Sequence, residues 1–228
     1  MINLIVLFIL ALIIALIDWV AVARADKRLE YLAKPGVMLA LLAAIGLTNG
    51  FQGPLLWFGL GVLFSLAGDI FLMLRRERFL AGLVAFLLAH IFYLVGLMSS
   101  PPQISLAGGI VVIVVGLTGW QLYRSVRAGL NRSNREQLKV PVMIYALFIS
   151  LMLLAALLTL VTANEVWLPA AALLVSAGAL LFYLSDTFLA WNRFVTPLKH
   201  ARLRVIILYH LGQGLLILGA LLNFYRPG

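Results

Sequence analysis

The chain has 228 residues, 64% of them hydrophobic and only 11% charged, with a mean hydropathy of +1.10. That balance excludes a water-soluble domain, and the absence of cysteine excludes disulfide frameworks, thiolate metal sites and cysteine nucleophiles. A formal charge of +9 would suit nucleic acid in a soluble protein, but here the basic residues fall between apolar blocks of membrane-spanning length, so they report membrane orientation and no nucleic-acid partner is expected.

The blocks predict helices at 2–23, 35–48, 54–75, 79–98, 104–123, 140–162, 166–191 and 203–225, an all-α bundle of eight transmembrane helices forming one domain over 1–228. The first block has no basic stretch before it and no small-residue cleavage site after it, and reads as a retained helix rather than a signal peptide. The second is short, with Pro35 opening it at a first-turn position where the missing N–H costs nothing and Asn49-Gly50 closing it. Pro54, Pro101-Pro102, Pro141 and Pro169 likewise fall at or near helix starts, and none is expected at a helix centre.

Lys and Arg fall in alternate connections. Arg24, Lys27, Arg28 and Lys34 follow the first helix, and Arg75, Arg76 and Arg78 follow the third. Arg124, Arg127, Arg132, Arg135 and Lys139 follow the fifth, and Arg193, Lys199, Arg202 and Arg204 follow the seventh. The other three connections contain none, so the positive-inside bias predicts both termini outside an inner (cell) membrane and supports the count of eight.

A repeat is legible beneath the helices. Gly68-Asp69-Ile70-Phe71-Leu72 resembles Ser185-Asp186-Thr187-Phe188-Leu189, and each is followed by a helix with a mid-span histidine, His90 or His210. Lys34-Pro35-Gly36-Val37-Met38 matches Lys139-Val140-Pro141-Val142-Met143 more loosely. Two parallel four-helix halves are expected, about 1–123 and 124–228, related by an axis along the membrane normal.

An ionised carboxylate near the bilayer centre costs about 2.5–3.5 kcal/mol on insertion scales, so each intramembrane acid needs an explanation. Asp18, Asp69 and Asp186 stand six or seven residues before the first arginine of their connections, about 9–10 Å inside that end. With His210 and the somewhat deeper His90 they define a polar pocket opening toward the basic side. Asp18 has two readings, a snorkelling or arginine-paired acid and a functional one, whereas recurrence in both halves favours function for Asp69 and Asp186. Tyr93 stands one turn after His90 and Gln213 one turn after His210, so each pair shares a helix face. Phe64, Phe71 and Phe86 are read as lipid-facing or packing residues. Soluble-enzyme motifs such as GxSxG, a P-loop or HExxH are absent, and three histidines scattered singly make a zinc site possible but unsupported.

Lys34-Pro35, Gly68-Asp69, the run Phe79, Gly82, Phe86, His90, Tyr93, then Ser185-Asp186 and Tyr209 with Gln213, taken in this order, resemble the YhhN-like lysoplasmalogenase family over helices two to eight. The resemblance implies an alkenyl ether hydrolase that cleaves the vinyl ether of lysoplasmalogens to a fatty aldehyde and a glycerophospho-alcohol (glycerophosphoethanolamine or glycerophosphocholine), without metal or cofactor. The family's aspartate pair maps onto Asp69 and Asp186. His210 is polar but matches no family motif.

Vinyl ethers hydrolyse by protonation of the carbon distal to oxygen, followed by capture of the oxocarbenium ion by water. Two carboxyl groups in a low-dielectric cavity suit this, one donating a proton and the other stabilising the cation and activating water. His90, Tyr93, Ser185, Tyr209, His210 and Gln213 are the expected substrate-orienting groups, with Lys34 or Arg75 near the lysophospholipid head group. The rival reading is a proton-coupled small-molecule transporter or channel, which also uses repeats and intramembrane acids. It needs a polar path through both membrane halves, and the outer half has few polar residues.

Overall fold

The computed structural model describes residues 2–48, 51–74, 78–99, 105–161 and 166–225. These form eight helices long and apolar enough to cross a membrane: α1 (Ile2–Ala23), α2 (Lys27–Leu47), α3 (Pro54–Met73), α4 (Phe79–Leu97), α5 (Leu106–Arg132), α6 (Lys139–Val161), α7 (Pro169–Phe194) and α8 (Ala201–Phe224). The protein is an integral multi-pass membrane protein. Asn49-Gly50, Arg75, Arg76 and Pro101-Pro102, all used in the topology above, lie outside the described residues.

Two boundaries differ from expectation. α2 starts eight residues earlier than predicted, so Pro35 is inside the helix and Lys27, Arg28 and Lys34 are helical rather than in a loop. The early start is fixed by Asp26, whose carboxylate accepts from Arg28 N at 3.0 Å and Leu29 N at 3.2 Å. The first turn is then tied across the bundle by Glu30, which takes Arg202 Nη2 at 2.7 and 2.8 Å. Those contacts offset the one backbone hydrogen bond that Pro35 removes. α5 runs nine residues past its predicted end: Val126, Gly129 and Leu130 recur at helical spacing on a buried face against Phe194 and Val142, while Arg124, Arg127 and Arg132 occupy the exposed face.

Sequential hairpins α1–α2, α3–α4 and α7–α8 pack closely, α6 bridges α4, α5 and α7, and α8 also touches α1, α2 and α3. α8 is the most buried span and α5 the least. Small residues let α7 and α8 meet backbone to backbone. A Cβ on Gly178 would lie 2.5 Å from Leu216 N, and one on Gly212 would lie 2.8 Å from Phe182 N. That approach sets Asp186 on α7 and Tyr209 on α8 within side-chain reach of His90 on α4 and Asp69 on α3.

Candidate active site

Asp69 lies one turn before the end of α3 and is almost fully buried. Lys34 Nζ is 2.8 Å from its Oδ1, and Tyr209 Oη donates to its Oδ2 at 2.7 Å. Helices α2, α3 and α8 therefore converge on one carboxyl group. Lys34 is not at a helix start, as expected from sequence: it stands within α2, so its ammonium turns into the bundle toward Asp69 instead of out toward a lipid phosphate.

Asp186, on α7, gathers a second set. The Tyr145 hydroxyl of α6 donates to Asp186 Oδ2, His90 Nε2 of α4 lies 3.4 Å from the same oxygen, and His90 Nε2 and Tyr145 Oη are 2.9 Å apart. Asp69 and Asp186 both line a cavity of about 340 Å³, whose walls include Phe86, Ser185, Ile206 and Tyr209. Phe86 packs edge-on against Tyr209 and against Phe182, and Phe182 in turn meets His90 with ring centroids 4.8 Å apart. Phe86 and Tyr209 thus stand in the cavity wall, braced by Phe182 behind them. Phe86 is a packing residue, as read, and also a wall of the site.

Lys27, Glu30, Asn192, Arg193 and Arg202 line the same cavity from the helix ends. The Lys27 and Arg202 side chains are 58% and 51% exposed, so this end is an open, basic mouth. A smaller apolar pocket, about 50 Å³, adjoins Asp186 and is bounded by Phe79, Leu83, Val142 and Tyr145.

The remaining expected residues divide. Ser185 lines the cavity, but its hydroxyl donates to the Val205 carbonyl at 2.9 Å, joining α7 to α8. Tyr93 and Gln213 sit one turn deeper, where Tyr93 Oη donates to Gln213 Oε1 at 2.5 Å and Gln213 Nε2 donates to Ser65 Oγ at 2.9 Å. They are fully buried, do not line the cavity and form a layer behind it. His210 is turned away from both acids and accepts from Trp19 Nε1 at 3.2 Å. Asp18 is fully buried, and among the described residues neither of its oxygens has a hydrogen-bond partner, so there it neither snorkels nor pairs with an arginine. Among the described residues no three His, Asp or Glu side chains are grouped to share a metal ion.

Sequence reasoning missed Tyr145, Ser65 and the Glu30–Arg202 pair. Tyr145 offered one signal, as the single tyrosine of a mostly apolar α6.

The chain is 33% identical over 171 residues to mouse (Mus musculus) lysoplasmalogenase TMEM86B, covering 75% of this chain and 66% of that protein. It is 32% identical over 188 residues to the pig (Sus scrofa) lysoplasmalogenase TMEM86B, covering 79% and 69%. To the human (Homo sapiens) lysoplasmalogenase TMEM86B it is 30% identical over 199 residues, covering 87% and 75%. The chain thus spans about two thirds to three quarters of these relatives' length. No solved structure matches it significantly. The YhhN family model matches residues 29–220, a stretch that contains both acid clusters, and the chain belongs to the YhhN family.

Proposed function

We propose that this protein is an intramembrane hydrolase that cleaves the vinyl ether of lysoplasmalogens by aspartate acid–base catalysis, in the cell membrane with its basic end toward the cytoplasm and both termini outside. The products are a fatty aldehyde and a glycerophospho-alcohol, glycerophosphoethanolamine or glycerophosphocholine. The observation that carries the reading is that two differently equipped carboxyl groups, Asp69 with Lys34 and Asp186 with His90 and Tyr145, line one cavity behind a basic mouth. Kinship to proteins named lysoplasmalogenases supplies the substrate class.

The two environments suggest a division of labour. Among the described residues Asp186 is met by the Tyr145 hydroxyl and His90 rather than by a lysine ammonium, and it is the proton donor, passing H⁺ to the alkenyl carbon distal to oxygen. Asp69, beside the Lys34 ammonium, stabilises the oxocarbenium ion and takes a proton from the water that attacks it. The hemiacetal then collapses: its hydroxyl proton returns to Asp186, and the departing glycerol oxygen takes the proton held by Asp69. Both acids are restored, and one water is consumed per bond broken. The alkenyl chain lies along the apolar pocket by Phe79, Leu83 and Val142. The phosphate meets Lys27 and Arg202 at the mouth. Tyr93, Gln213 and Ser65 hold α4, α8 and α3 in register behind the site. Beyond that layer lie Phe58, Val62, Leu97, Leu216 and Ile217, all buried and apolar, which suits a one-sided pocket better than a transport path.

The test is aldehyde release by the purified protein from alkenyl, alkyl and acyl lysophospholipids. Release from the alkenyl lipid alone is expected, with kcat lowered about 10²- to 10⁴-fold by Asp69→Asn and by Asp186→Asn, the usual worth of a positioned acid or base. Undiminished turnover in either variant would remove that residue from the chemistry.

A further inference from the structure

Asp18 is the buried acid that this chemistry leaves idle. It is fully buried on α1, and among the described residues neither of its oxygens has a hydrogen-bond partner. A carboxyl group so placed loses its hydration without compensation, and an apolar side chain of similar size would fill the same space at no such cost. Its presence asks for a role other than holding the fold.

Its neighbours on α1 fix what it faces. Ile14, one turn before Asp18, lies against α2 at Gly36, where a Cβ would come 3.2 Å from Ile14 Cγ2. Val22, one turn after Asp18, lines the cavity that holds Lys34 and Asp69. Residues four apart share a helix face, so Asp18 faces α2 between these two contacts. α1 and α2 are antiparallel neighbours. At 1.5 Å of rise per residue, Asp18 stands about 6 Å and Lys34 about 3 Å from the Ile14–Gly36 contact, both toward the basic end. Side chains lean toward the N-terminus of their own helix, and in an antiparallel pair these two lean toward each other. The charged groups whose fields reach Asp18 are Lys34 first, then Glu30, Asp69 and Arg202, and all four line the cavity.

Lys34 has three N–H donors and gives one to Asp69 Oδ1 at 2.8 Å. One ammonium therefore stands by two acids and bonds to one of them. We propose that Asp18 is the second anchor of the Lys34 ammonium, and so a positioning residue for the hydrolase. The role rests on the reading in which Asp69 takes a proton from the attacking water. Once protonated, Asp69 no longer balances the ammonium, which turns to the Asp18 carboxylate. Lys34 keeps its three protons and Asp18 its charge throughout. When Asp69 gives its proton to the departing glycerol oxygen, the ammonium returns and the resting pair is restored. Without Asp18 the ammonium would be left beside a neutral acid inside the membrane, which opposes proton uptake by Asp69.

The test is a double-mutant cycle on the full chain in detergent, read by turnover and by melting. Asp18→Asn keeps the size of the side chain and removes its charge. It is expected to lower kcat for an alkenyl lysophospholipid about 10- to 100-fold with KM unchanged, the worth of one hydrogen bond between charged groups. Asp18→Leu should lower kcat at least as far while melting no earlier than wild type. Wild-type kcat in either variant, or an effect confined to KM, would overturn the proposal. Melting is measured without substrate. In the otherwise native chain Lys34 has Asp69, and Asp18→Asn is expected to leave the melting temperature unchanged or raised. In the Asp69→Asn background Lys34 depends on Asp18, and adding Asp18→Asn should lower the melting temperature by several degrees. An equal effect of Asp18→Asn in both backgrounds would overturn the second anchor. A wild-type protein that releases no aldehyde but shows this coupling would count against the hydrolase reading alone.

Discussion

Lys34 and Asp69 form a buried ion pair that Tyr209 completes, and the cost of burying two charges makes the pair interdependent. Lys34→Met is expected to lower stability by about 3–5 kcal/mol, because it strands a buried carboxylate. Lys34→Met combined with Asp69→Leu should recover most of that loss in a denaturation titration while remaining inactive; a double variant no more stable than the single one would show that the pair is not the origin of the penalty. Tyr145→Phe removes the hydroxyl that meets both Asp186 and His90. It should lower kcat roughly 10- to 100-fold with an unchanged fold, the range for a hydrogen bond to the carboxylate that Asp186 becomes as it gives up its proton. Wild-type turnover would assign Tyr145 to packing. Asp69, Asp186 and His90 were legible because a titratable group in an apolar helix stands out by type. Tyr145 was not, since a membrane tyrosine is ordinarily an interfacial residue and its meaning depends on α6 lying beside α4 and α7. His210 was legible as polar but not in direction. One residue's difference from Tyr209 rotates it about 100° around α8, to the α1 face.

At the scale of elements, the site depends on how closely α7 and α8 approach. Gly212 faces the Phe182 backbone and Gly178 faces the Leu216 backbone, so a side chain at either position must part the helices rather than displace a flexible neighbour. Gly212→Leu is expected to destabilise the detergent-solubilised protein by at least about 1–3 kcal/mol, as overpacking does, and to abolish activity by drawing Tyr209 away from Asp69. Native thermal stability in that variant would contradict the packing described here. Helix existence was readable from hydropathy, but two ends were misread for definite reasons. Proline rules placed Pro35 at a first turn, while the Asp26 cap and the Glu30–Arg202 pair carry the helix back to Lys27. Basic residues suggested a loop after 123, while Val126 and Leu130 have a buried face to pack and keep α5 helical to Arg132.

Across the whole molecule, alternation of basic and uncharged helix ends predicts a topology that can be read directly, because the chain has no native cysteine. Ser133→Cys, exposed beyond the basic end of α5, should react with an impermeant maleimide only after cells are opened. Ser99→Cys, exposed beyond the opposite end of α4, should react in intact cells. The reverse pattern would invert the proposed orientation. The chemistry is tested most directly by isotopes. In D2O and H2 18O, turnover of an alkenyl lysophospholipid should put one deuterium on aldehyde carbon 2 and no 18O in the glycerophospho-alcohol, and both labels' host products should disappear together in Asp69→Asn and Asp186→Asn. An 18O atom in the glycerophospho-alcohol, or labelled aldehyde forming at full rate in either variant, would contradict proton transfer to carbon between two carboxyl groups sharing one cavity.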